Sequence, residues 1–67
     1  MGTTDEFRRL IEFAIDEERK AQRTYKDLAA KAGDEYVKAV LEALHEQEVH
    51  HEEKLRGLLA SLRAGPG

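Results

Sequence analysis

Apolar residues recur along this chain in alternating steps of four and three, the rhythm of a helix that buries one face. Phe7, Ile11, Ala14, Ala21, Tyr25, Leu28 and Ala32 keep it in the first half. Val37, Leu41, Leu44, Leu55, Leu58 and Leu62 keep it in the second. Leu10, Ile15, Val40 and Leu59 flank these positions and widen the stripe beyond what a two-stranded coil needs, so a four-helix bundle is the better fit.

One break separates the two runs. Thr3 followed by Glu6 can form a capping box, with Thr4 as a rival cap, and the first helix is expected over about 4–32. Gly33 suits the left-handed residue that ends a helix, and Asp34 suits the N-cap of the next. The second helix is expected over about 35–64, stopped by Gly65, Pro66 and Gly67. Gly57 costs its interior roughly 1 kcal/mol, and either admits a close neighbour or is a tolerated surface residue. Helices of about 30 residues are about 45 Å long, and the short link at 33–34 makes them antiparallel. The expected fold is all-α, one domain over residues 1–67, an antiparallel two-helix hairpin that dimerises into a four-helix bundle.

Size makes the partner necessary. A chain of 67 residues has a marginal core, and the usual remedies are disulfides, a structural metal or self-association. There is no cysteine, which removes disulfides and thiolate metal sites. With 14 acids against 11 bases and a net charge of −3, nothing in the charge favours nucleic acid. No apolar run approaches the roughly 18 residues of a membrane span, and the polar start does not resemble a signal peptide. A soluble, cytoplasmic protein without nucleic-acid or membrane partners is the expectation.

The apolar rhythm fails at three positions, Glu18, Glu48 and His51. Glu18 lies 15 residues before Gly33 and Glu48 lies 15 after it, so a tight turn brings both carboxylates to one height. His51 follows Glu48 by three residues, within reach of the same ion. Burying such a layer uncompensated costs several kcal/mol per charge. Two hairpins about a two-fold axis would gather four carboxylates and two imidazoles, the ligand set of dinuclear carboxylate bundles. Mixed oxygen and imidazole donors suit Fe(II), and Mn, Zn or Co as substitutes. Other polar residues read more blandly. Glu42 and His45 fall off the stripe as solvated surface, and His50 points away from the core. Glu17, Glu52 and Glu53 read as a solvated rim. Tyr25 is a packing residue, with a weaker reading as an electron donor near the layer. Phe7, Phe13 and Tyr36 read as packing or subunit contacts.

On these residues the chain resembles the ferritin-like superfamily in its rubrerythrin-type form. Ala14-Ile15-x-x-Glu18-x-x-Ala21-x-x-x-Tyr25-x-x-Leu28-Ala29 looks like its first metal-ligand helix, and Leu44-x-x-x-Glu48-x-x-His51-x-x-x-Leu55 looks like the helix that follows. Nearly the whole chain is covered, against half of a usual ferritin-like domain. Within the superfamily it is most similar to the encapsulated ferritins. That resemblance implies a ferroxidase: Fe(II) oxidised by dioxygen for iron storage or detoxification, at a diiron centre between subunits, with two Fe per dimer. Glu18, Glu48 and His51 would be both the metal ligands and the catalytic residues. It further implies a homodimer, a higher ring such as a decamer, and an encapsulin shell as partner and nanocompartment. Two alternatives stand beside it, a metal-free scaffolding bundle whose polar layer sets register, and a rubrerythrin-like peroxide-reducing diiron protein supplied by an external electron donor.

Overall fold

The structure is a computed structural model that describes the backbone of residues 3–64 and the side chains of residues 4–63. It consists of two helices, α1 (Thr3–Lys31) and α2 (Glu35–Ala64), packed antiparallel in a body about 50 × 18 × 11 Å. Asp5 and Glu6 lie in the first turn of α1 and Glu35 in that of α2, while Lys31 and Arg63 lie in the last turns. Each charge therefore opposes the helix dipole favourably. The expected Thr3 side-chain cap and the Gly65–Gly67 stop lie outside the described residues. Among those residues no helix is long and apolar enough to cross a membrane.

Asp34 caps α2 as expected. Its carboxylate accepts the Val37 N–H at 2.9 Å, and its carbonyl accepts the Lys38 N–H at 2.9 Å. Gly33 departs from expectation, because its φ is not in the left-handed region. Instead the end of α1 tightens, with Ala32 N–H donating to the Ala29 carbonyl at 3.3 Å. A three-residue bond of this kind satisfies a terminal carbonyl without a positive φ.

The core is thin. Ile11, Ile15 and Leu59 form its buried cluster, with Leu55 and Leu62 packed against them. Ala29 is buried nearer the turn, and no described side chain is fully enclosed. The flanking residues Ile15 and Leu59 thus occupy the centre of the seam. Several stripe residues do not: Phe7, Leu28, Val37 and Leu58 are 45–48% exposed, with Leu10 at 64% and Val40 at 40%. Helical spacing puts Leu10, Ala14, Ala21 and Leu28 of α1 a quarter-turn from the seam, on the same side of the hairpin as Val40, His51 and Leu58 of α2. The sequence stripe is therefore two surfaces, one closing the hairpin and one left as an apolar front face. Phe13 and Tyr36 are exposed as well, beyond the margins of that face.

Two substitutions test this packing by thermal or denaturant unfolding. Ile15→Ala should destabilise by about 2–4 kcal/mol through the cavity it leaves. An added Cβ at Gly57 meets nothing within 4 Å, so Gly57→Ala should stabilise by about 1 kcal/mol; a loss instead would mean another helix packs there.

Candidate metal centre

Halfway along the seam the apolar residues give way to three ionisable ones. Glu18 of α1 and Glu48 of α2 are each about three-quarters buried or more, with side-chain exposures of 24% and 20%. His51, one turn beyond Glu48, is half exposed and borders the front face. Its Nδ1 lies 3.1 Å from Glu48 Oε1 and 3.6 Å from Glu18 Oε1. One donor atom from each residue falls within a set whose members are all within 4.8 Å of one another. The equal distances of Glu18 and Glu48 from the turn therefore do produce one layer.

The layer is unbalanced in a way that fits a cation. Glu18 Oε1 has almost no solvent contact and no hydrogen-bond partner. Such an oxygen is expensive to keep, because its lost hydration is not replaced. Both carboxylates approach the Nδ1 edge of the His51 ring. Two hard oxygens and one imidazole nitrogen converging on a point are a donor set for a divalent transition metal. The residues present fit the group that their spacing suggests.

A neighbouring contact locks the register of the two helices at this layer, and it is not visible as a motif. Gln22, one turn from Glu18, donates its amide to Glu52 Oε1 at 2.7 Å and reaches the Glu48 carbonyl oxygen at 3.4 Å. Arg56 Nε donates to the other Glu52 oxygen at 2.7 Å. The Gln22 hydrogen bond first, and that of Arg56 second, hold the Glu52 carboxyl below its ordinary value. Glu52 is not the solvated rim residue its position suggested; its side chain is only 16% exposed. The usable signal was the i, i+4 spacing of Gln22 from Glu18 and of Glu52 from Glu48.

The remaining polar residues separate from the layer. Glu17 pairs with Lys20 at 3.3 Å, and Glu53 pairs with exposed His50 at 3.4 Å, both on the surface as expected. Glu42 is exposed, but His45 is half-buried and lines a cleft near the turn with Tyr25. His45 is therefore not solvated surface, although it stays outside the ligand set. A depression of about 540 Å³ lined by Gln47, His50, His51, Glu53 and Lys54 leaves the imidazole open to solutes.

Comparison with protein families matches the family described as Rubrerythrin over residues 2–59. Comparisons with curated proteins and with solved structures give no match.

Metal removal tests the layer directly. Co(II) at a hundredfold excess over its Kd should raise stability by about 2.7 kcal/mol over the EDTA-treated protein, read as a shift in Tm. Glu18→Gln should abolish that increment. Without metal it should melt no lower than wild type, because the substitution removes a buried like charge facing Glu48.

Proposed function

The chain belongs to the rubrerythrin family, and from that premise we propose that two copies assemble a dinuclear iron centre that reduces hydrogen peroxide. The observation that carries this reading is the Glu18, Glu48 and His51 cluster, with its orphaned carboxylate oxygen. One hairpin supplies three donors, half of the four-carboxylate, two-imidazole set that holds two ions in diiron bundles. The front face supports the second copy as the source of the other half. Phe7, Leu10, Leu28, Val37, Val40 and Leu58 are exposed on the side where His51 opens. An apolar surface of this extent on so thin a core calls for a partner.

The chain's own residues have definite tasks in this reading. Glu18 and Glu48 would hold the two ions and balance their charge, and His51 would complete the donor set from the side open to solutes. Gln22 and Glu52 hold α2 so that Glu48 and His51 meet Glu18 at one height. The front-face residues exclude water from the layer once paired. A pair of Fe(II) ions held there supplies two electrons, which with two protons convert one peroxide to two waters.

Ferroxidase chemistry with dioxygen is the second reading, favoured by the absence of cysteine from these 67 residues. Without thiolates the hairpin carries no iron–sulfur relay of its own, so a peroxidase needs a donor from elsewhere. Fe(II) offered as substrate brings its own electrons. Larger rings and an encapsulin shell would follow from that second reading.

Anaerobic Fe(II) titration should saturate at one iron per chain, in a particle of twice the hairpin mass. Mixing the loaded protein with hydrogen peroxide should oxidise the iron at least tenfold faster than mixing with dioxygen at equal concentration. The reverse ranking would favour the ferroxidase. Ala at Glu18, Glu48 or His51 should abolish both reactions and His50→Ala neither, while Leu10→Glu should give monomers without a dinuclear centre. Equal rates in wild type and Glu48→Ala would leave only a scaffolding bundle.

A further inference from the structure

The side of the seam away from the front face carries a second unusual feature. A cleft of about 220 Å³ there is lined by Arg19, Gln22, Arg23, Lys26 and His45. No carboxylate lines it. Among the described residues, Arg19, Arg23 and Lys26 have no ion-pair partner. The rest of the same groove is different. Towards the chain ends Glu12 and Asp16 line it, with Glu12 pairing Arg63 at 3.7 Å. Towards the turn Glu42 joins Lys26, Lys38 and His45. A chain with more acids than bases has therefore left three cations around one cleft that no carboxylate lines, although Asp16 and Glu17 share a separate depression with Arg19 and Arg23 and the Glu52 carboxyl feels the charge of Arg19. Cations three and four residues apart repel along a helix, and an anion bound in the cleft would relieve that repulsion there.

We propose that this cleft binds a small polyvalent oxyanion of the phosphate class. Two guanidinium groups one turn apart offer planar forks of N–H donors suited to phosphate oxygens. Lys26 adds a mobile point charge, and His45 closes the cleft from α2. The cleft is smaller than the roughly 300–1,000 Å³ of pockets that enclose drug-sized ligands, so an inorganic anion or one phosphoryl group is the right size. It stays open when the front faces pair, because it lies on the opposite side. Gln22 lines the cleft and also bonds the Glu52 carboxylate and the Glu48 carbonyl oxygen, so a bound anion would sit one side chain from both. The site does not depend on the iron reading, since none of its cations is a proposed metal ligand.

The test uses the 67-residue chain freed of metal and labelled with nitrogen-15. Inorganic phosphate should give saturable one-to-one shifts of the amides around Arg19–Lys26 and His45, where sodium chloride of matched ionic strength gives none. Arg23→Gln combined with Lys26→Gln should weaken binding at least tenfold, and Arg9→Gln should leave it unchanged. Helicity by circular dichroism confirms that the variants are folded. A parallel titration with a nucleoside triphosphate separates the two sources: binding more than tenfold tighter than phosphate assigns a nucleotide, and equal or weaker binding assigns the free anion. Equal responses to phosphate and chloride, or wild-type affinity in the folded double variant, would overturn the proposal. Because the measurement is made without metal, its failure leaves the diiron reading untouched, and loss of iron chemistry leaves this one untouched.

Discussion

Two carboxylates facing each other across a thin apolar seam are the constraint around which this hairpin is organised. Glu18 and Glu48 stand at the midpoint of helices whose core encloses none of the described side chains completely. A large domain can absorb one uncompensated polar atom in its interior. A hairpin held by Ile11, Ile15, Leu59 and their neighbours has little stability to set against it. The orphaned Glu18 oxygen therefore joins structure to chemistry: the cost it carries in the hairpin is one that a cation between these donors would relieve.

The rest of the molecule divides around that layer. On one side of the seam the exposed apolar residues and the half-exposed imidazole share a face. On the other, Gln22 to Glu52 and Arg63 to Glu12 tie the helices together, with Arg56 bonding Glu52 from within α2. Side chains of one helix that grip the backbone and carboxylate of the other fix the sliding register, which apolar packing alone specifies weakly. The metal layer needs that register, since one turn of slip would move Glu18 about 5 Å from Glu48.

Family membership and site geometry carry different weight. The match over residues 2–59 places the chain among rubrerythrins, and a fold supports many chemistries. The donor cluster narrows these to a hard, mixed oxygen and nitrogen site with solute access beside His51. Which oxidant meets the centre depends on the source of electrons, and no thiolate within the hairpin supplies them.

Much of this was legible from residue order alone. Helix period, a single break and the Asp34 cap dictate an antiparallel pair, and equal spacing from the turn dictates that Glu18 and Glu48 meet. These are local or arithmetic facts, set by 3.6 residues per turn and by chain connectivity. What residue order left undecided depends on which way each helix rotates about its axis. A stripe wide enough for two neighbours does not say which half faces the partner helix, so Ile15 and Leu59 became the core while Phe7, Leu28 and Leu58 stayed outside. The same rotation drew Glu52 and His45 inward and gave Gln22 its task. It emerges only when both helices are packed, because both halves of the stripe carry apolar residues and only the packed pair brings Gln22 to Glu52 and the Glu48 carbonyl.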